Sequence, residues 1–209
     1  MIIYLMRHGE TDWNKARRMQ GQSDIPLNAF GIELAEKTAE GLKDIKFDRI
    51  FSSPLLRAYE TAEIIASVQG AKVIRDDRLK EINFGPGEGD TFDAAKQDPG
   101  HPLHNFFSDP GAYKAVDGAE SFEDARRRSG EFLRDQILPL EGACEKVLVV
   151  AHGALNRSIL NTIAGIPDEQ FWKIGLPNCA VSILSLENGK FTILEESKVY
   201  YGDPVNGRP

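Results

Sequence analysis

Four short runs, at 2–6, 48–52, 71–75 and 147–151, alternate with stretches that carry helix starts, and this alternation constrains the fold more than any other feature. The last of them, Val147-Leu148-Val149-Val150-Ala151, is apolar on both faces, as a strand covered by helices on both sides must be. Two later strands, about 180–186 and 191–195, flank Asn188-Gly189, a hairpin turn signal. Asn28 caps a helix to about Asp44, Ser53 with Pro54 starts one through about Gln69, and Ser121 opens an S-x-x-D capping pattern before a helix to about Leu138. A fourth helix, Ala154 to Ala164, is closed by Gly165 and Pro167. The expected architecture is α/β, a three-layer α/β/α sandwich about a mostly parallel sheet, in one domain over 1–209. Glycines and prolines from Gly85 to Gly118 crowd the stretch 85–120, which reads as a loop and helix insertion, lid-like in position.

Composition narrows the function. The 209 residues carry a formal net charge of −7, which argues against a general role on nucleic acid or an anionic membrane. The opening Met1-Ile2-Ile3-Tyr4-Leu5-Met6 has no basic leader and is too short for a signal segment or a membrane span, so a soluble, cytoplasmic protein is expected. Cys144 and Cys179 have no ligand spacing and read as small buried apolar residues. An acidic protein that binds an anion must gather its arginines locally.

Parallel α/β sheets bind ligands at the carboxyl ends of their strands. Arg7-His8-Gly9-Glu10-Thr11 follows the first strand and His152-Gly153 follows the strand at 147–151. Each histidine precedes a glycine that lets backbone N–H groups approach a ligand. After the run at 48–52 comes Ser53-Pro54-Leu55-Leu56-Arg57, with Arg57 in the first helical turn, where the helix dipole favours an anion. Two guanidiniums, a helix end and two imidazoles can thus share one pocket.

These motifs resemble the histidine phosphatase superfamily of phosphoglycerate mutase-like proteins, branch 1, and within it the small broad-specificity phosphatases. The resemblance covers about 1–90 and 145–186. It rests on Arg7-His8-Gly9-Glu10-Thr11, Trp13-Asn14, Gln20-Gly21, Asp24-Ile25-Pro26-Leu27, Ser52 through Ala58, Leu79 through Gly85 and Val150-Ala151-His152-Gly153, in family order. It implies a phosphomonoesterase without metal or cofactor. His8 would attack phosphorus and become a phosphohistidine, with Arg7, Arg57 and His152 around the phosphoryl oxygens. Asn14, Gln20 and Gly153 would add neutral contacts, and Glu81 would serve as general acid and then general base. The implied partner is a small-molecule phosphomonoester. The hairpin at 180–195 offers an edge through which a homodimer could pair.

Competing readings attach to several residues. Glu88 could take the acid role from Glu81, Asn14 could merely cap a helix, Gln20 could be a surface amide, and Thr11 and Ser53 read as local caps. Arg126-Arg127-Arg128 lies beside Glu123, Asp124 and Glu131 and reads as a solvated, paired helix face rather than an anion patch. His101 and His104 form a weak metal signature. With Phe106, Phe107, Tyr113 and Lys114 they could form a lid over the pocket or a cluster that anchors the insertion. Residues 80–85 differ from the usual mutase segment, and 85–120 supplies no arginine pair for a substrate carboxylate, which favours hydrolysis over a cofactor-dependent phosphoglycerate mutase. A recognition module and a metal-dependent hydrolase are the alternatives from other classes.

Overall fold

Along the first strand, β1 (Ile2–Arg7), alternate side chains enter two different cores. Ile3 and Leu5 pack on one side of the sheet and Tyr4 and Met6 on the other. The computed structural model describes residues 1–202. In chain order it contains α1 (Asp12–Lys15), α2 (Ala29–Gly41), β2 (Arg49–Ser52), α3 (Leu56–Ser67) and β3 (Val73–Arg75). There follow α4 (Phe92–Gln97), α5 (His104–Ser108), α6 (Phe122–Phe132), β4 (Lys146–Ala151), α7 (Gly153–Ala164), β5 (Val181–Glu187) and β6 (Lys190–Lys198).

The six strands form one sheet in the order β3-β2-β4-β1-β5-β6. β3, β2, β4 and β1 are mutually parallel, and β5 and β6 run antiparallel at one edge. Helices α2 and α3 cover the face that carries Tyr4, Met6, Leu148 and Val150. Helices α6 and α7 cover the face that carries Ile3, Leu5, Val147 and Val149. The result is the three-layer α/β architecture that the alternation of strands and helices predicts. Among the described residues, no helix is long and apolar enough to cross a membrane.

Some element ends differ from expectation. Ser53 does not cap α3, whose first N–H, that of Leu56, instead donates to Asp24 Oδ1 at 2.6 Å. The Ser53 hydroxyl accepts from the Leu55 N–H at 3.3 Å, a local bond within the turn that precedes the helix. Helix α6 opens on the expected capping box of Ser121 and Asp124. Its regular part ends at Phe132, and a wider turn over Leu133–Ile137 and a tighter one over Leu138–Leu140 complete the stretch. Asn188 and Gly189 both adopt positive φ, as the tight hairpin between β5 and β6 requires.

Within 85–120, Phe106 is fully buried and sits among the rings of Phe84, Phe107, Tyr113, Phe122, Phe171 and Trp172. Phe106, Phe107 and Tyr113 pack together in this aromatic cluster, and Lys114 is exposed. His101 bonds to Asp90 at 3.2 Å and His104 to the carbonyl of Ala95 at 3.0 Å. Cys179 is buried, whereas Cys144 is only half-buried.

Candidate functional site

Sheet order assembles the site. β4 lies between β2 and β1, so His152, at the end of β4, stands between Ser53 and Arg57 on one side and His8 on the other. Register fixes the pair, since Arg7 is opposite Ala151 and the next amide, His8 N–H, donates to the Ala151 carbonyl at 3.0 Å. The two imidazole centres are 5.2 Å apart. Glycines let the loop beyond β1 approach α2, and a Cβ on Gly31 would stand 2.0 Å from the Glu10 carbonyl oxygen.

Arg7, His8, Asn14, Gln20, Arg57, Glu81 and Gly153 all line one cleft that opens to solvent. His152 is fully buried just behind it. His8 Nδ1 donates to its neighbour's carbonyl, Gly9 O, at 2.6 Å, which leaves Nε2 with the free lone pair. Burial, then the Arg57 and Arg7 guanidiniums, hold the His8 pKa well below the usual imidazole value, against the opposing pull of the Gly9 carbonyl. The same burial and Arg57 depress His152, whose Nε2 meets Ser53 Oγ at 2.8 Å. Ser53, read from sequence as a local cap, thus holds its own turn through Leu55 N–H and orients an imidazole as well.

The arginines are fixed before any ligand arrives. Arg57 donates from Nη1 to Ser23 O at 2.8 Å and from Nη2 to Gly21 O at 2.7 Å, and Arg7 Nη1 donates to Leu176 O at 2.5 Å. Arg7 Nε, Arg57 Nε and His152 Nδ1 are buried without partners among the described residues. Each such group costs about 1–3 kcal/mol unless an acceptor meets it. Burial brings Arg57 down to about 10, still charged at neutral pH.

The two neutral amides are oriented alike. Asn14 Oδ1 accepts from the Thr11 N–H at 3.1 Å, within the capping box that starts α1, and Gln20 Oε1 accepts from Thr11 Oγ1 at 2.9 Å. With both oxygens engaged, their NH₂ groups remain as donors in the cleft. Asn14 is thus a capping residue and a cleft residue at once, and Gln20 is buried rather than a surface amide.

Glu81 is buried with its carboxylate at the start of α7. Oε2 accepts from Ala154 N–H at 3.0 Å, and Oε1 accepts from Leu155 N–H at 2.8 Å and Ile82 N–H at 2.9 Å. Glu88 does not line the cleft. Its oxygens are occupied by the Gln22 and Ser23 amides, each at 2.8 Å, and the Ser23 hydroxyl at 2.6 Å.

Seven cleft residues were not among the site residues read from the sequence: Arg18, Gly21, Phe84, Phe92, Ala154, Arg157 and Trp172. Gly21 and Phe84 lie inside the quoted motif segments, and Arg157 follows Gly153 by four residues and so shares its helix face. The arginine run on α6 is paired as expected, Arg126 with Asp168 and Arg127 with Asp124 and Glu131, but Arg128 is not solvated. Its side chain is 12% exposed and turned inward to Glu120. Among the described residues, no group of three or more His, Cys, Asp and Glu side chains could hold a metal ion.

Comparison with known proteins agrees with this geometry. The model of the histidine phosphatase superfamily (branch 1) matches residues 3–198. A probable phosphoglycerate mutase GpmB of Yersinia pestis is 36% identical over 180 residues, which span 86% of this chain and 82% of that protein. The structure of YhfR from Bacillus stearothermophilus superposes with a TM-score of 0.87 at 33% identity, over 95% of this chain and 97% of that one. Phosphoserine phosphatase of Entamoeba histolytica, solved with 3-phosphoglyceric acid, gives a TM-score of 0.83 at 28% identity, over 96% and 98% of the two chains. From its sheet order, its paired histidines and a family match over nearly its whole length, the chain belongs to branch 1 of the histidine phosphatase superfamily.

Proposed function

We propose that this enzyme is a metal-independent phosphatase that hydrolyses a small-molecule phosphomonoester through a phosphohistidine on His8. The observation that carries the reading is the hydrogen bond from His8 Nδ1 to Gly9 O, which presents Nε2 as an unprotonated nucleophile in a cleft rich in arginine. Nε2 attacks phosphorus, the P–N bond forms and the ester P–O bond breaks, and Glu81 gives its proton to the departing alkoxide. Water then attacks phosphorus, Glu81 takes a proton from it, and the P–N bond breaks to free His8 and release phosphate.

Arg7 and Arg57 would supply to the phosphoryl oxygens the positive charge that metal ions supply in many phosphoryl-transfer enzymes, and His152, kept neutral by burial, would add an uncharged N–H donor beside them. Asn14, Gln20 and the start of α7 at Gly153 add neutral donors. Hydrolysis is favoured over phosphoryl return to a sugar acid because residues 85–120 contribute only an aromatic ring, Phe92, to the cleft. The mutase reading is supported by the name of the Yersinia relative.

The test is phosphate release from p-nitrophenyl phosphate and 3-phosphoglycerate with a chelator present, beside His8→Ala. Release by the parent protein, its loss in the variant and inhibition by vanadate are expected. Interconversion of phosphoglycerates primed by bisphosphoglycerate, without net hydrolysis, would give the mutase reading instead.

A further inference from the structure

The Gly9 carbonyl decides which nitrogen of His8 is free, so whatever holds that carbonyl also holds the nucleophile. His8 Nδ1 donates to it at 2.6 Å. The peptide it belongs to, between Gly9 and Glu10, lies outside the strands and helices, and Gly9 adds little restraint of its own. The N–H of that peptide, on Glu10, has no hydrogen-bond partner among the described residues. Its orientation therefore depends on what its oxygen accepts. Besides the imidazole, the side-chain amide of Asn178 meets that oxygen, with Nδ2 donating at 3.1 Å. The same Nδ2 donates to His8 O at 3.1 Å and lies 3.4 Å from Asn14 Oδ1. One NH₂ group, with its two hydrogens, thus spans the two successive carbonyls of the loop that carries the nucleophile.

The turn that presents Asn178 is tied to this loop along its length. Leu176 O accepts from Arg7 Nη1 at 2.5 Å, and Cys179 N–H donates to His8 O at 3.2 Å. Cys179 adopts a φ of 56°, a left-handed conformation that persists in a residue with a side chain only where the surroundings enforce it. From behind, Tyr201 Oη donates to Asn178 O at 2.5 Å. Tyr200 packs at the end of α2, where a Cβ on Gly41 would stand 2.7 Å from its own Cβ. Residues 200 and 201 therefore fix the backbone of Asn178 while its side chain reaches Gly9. Asn178 is half-buried and does not line the cleft.

We propose that Asn178 is a positioning residue for His8: by fixing the Gly9 carbonyl it keeps the ring proton on Nδ1 and the lone pair of Nε2 toward the cleft, with Tyr201 holding Asn178 in turn. A neutral imidazole has two tautomers, and the nitrogen that finds an acceptor keeps the proton. Once Gly9 O swings away, the proton can move to Nε2, which then has no lone pair to offer phosphorus. This inference rests on the reading of His8 as the nucleophile.

The test replaces the donor without changing the shape. Asn178→Leu has nearly the same outline and no N–H, whereas Asn178→Gln keeps the NH₂ group on a longer stem. In Asn178→Leu, kcat on p-nitrophenyl phosphate should fall by about tenfold or more, with KM close to that of the parent protein because the arginines still bind the phosphoryl group. Asn178→Gln should recover part of the loss. Nitrogen NMR of labelled imidazoles, with His8 identified by the signals that His8→Ala lacks, reads the tautomer directly. The parent protein should carry the His8 proton on Nδ1, and Asn178→Leu should show a share of it on Nε2. An unchanged tautomer in Asn178→Leu, or the same loss of kcat in Asn178→Gln as in Asn178→Leu, would overturn the proposal.

Tyr201→Phe removes one hydroxyl and leaves the Asn178 side chain in place. It should shift tautomer and kcat in the same direction by a smaller factor, and it carries the test if Asn178→Leu does not fold, where an unchanged tautomer would overturn the proposal. If the parent protein hydrolyses no phosphate ester and the tautomer still shifts in these variants, the phosphatase reading fails and the positioning role stands. If esters are hydrolysed while His8 keeps its tautomer in every variant, the positioning role fails alone.

Discussion

Arg128 and Glu120 form a two-point ion pair, Nε to Oε1 at 2.7 Å and Nη2 to Oε2 at 2.9 Å, and the same guanidinium donates to the carbonyls of Arg78, Lys80 and Glu81 at 2.8, 2.6 and 3.0 Å. Glu120 in turn accepts from the Asn83 N–H at 2.9 Å. The segment that carries Glu81 is thus clamped from α6. Arg128→Ala should lower kcat on alkyl phosphates by about 10- to 100-fold, within the range a general acid supplies. The loss should be smaller on p-nitrophenyl phosphate, whose leaving group needs no proton. A leaving-group series checks this, and a uniform loss would mean that Arg128 supports only the fold.

Ser53→Ala removes the partner of His152 Nε2 and leaves that imidazole buried and unheld. A hydrogen bond of this kind contributes about 1–1.5 kcal/mol, so kcat/KM should fall about tenfold. Steady-state kinetics with a circular dichroism control would show it. Unchanged kinetics would assign Ser53 to the turn before α3 and to nothing more.

Gly31→Ala should destabilise the protein by about 2 kcal/mol or more, because the added methyl meets backbone at Glu10 rather than a side chain that can swing aside. Urea unfolding gives the value. Because the displaced chain is the loop that starts with His8 and Gly9, activity should fall with it.

Both imidazoles are buried and held below their ordinary pKa, so the unfolded chain binds protons that the folded one refuses. Stability should therefore be unaffected by these groups above about pH 6.5 and fall as pH drops below it, by up to about 2.7 kcal/mol per unit for the pair. Unfolding in urea at pH 7.5 and 5.5 tests this against a His8→Asn, His152→Asn double variant. The variant should show the flatter dependence, and matching slopes would contradict the assignment.

The strands and the two histidines were legible because local pattern decides them: an apolar run ends, and a polar residue with a glycine follows. Arg157 was not, because a buried cation inside a helix looks like any exposed one until the chain folds over it. Arg128 was misread for a related reason. Its neighbours in sequence, Glu123, Asp124 and Glu131, suggested a solvated helix face, whereas its real partner is Glu120 and its other bonds go to carbonyls some fifty residues away. The start of α3 failed differently, as the Ser53 hydroxyl serves the turn before the helix and the His152 imidazole rather than the helix end.

Because His8 and His152 continue two adjacent central strands, their separation is set by the ladder between β1 and β4 and not by any loop. Local breathing of the surface cannot part them. Partial opening of the segment 85–120 would change what reaches the cleft while leaving the histidine pair intact, and the pair itself should separate only when the whole sheet does. Loss of the pair under denaturant should then coincide with global unfolding, and the amides of β1 and β4 should be among the last to exchange with solvent.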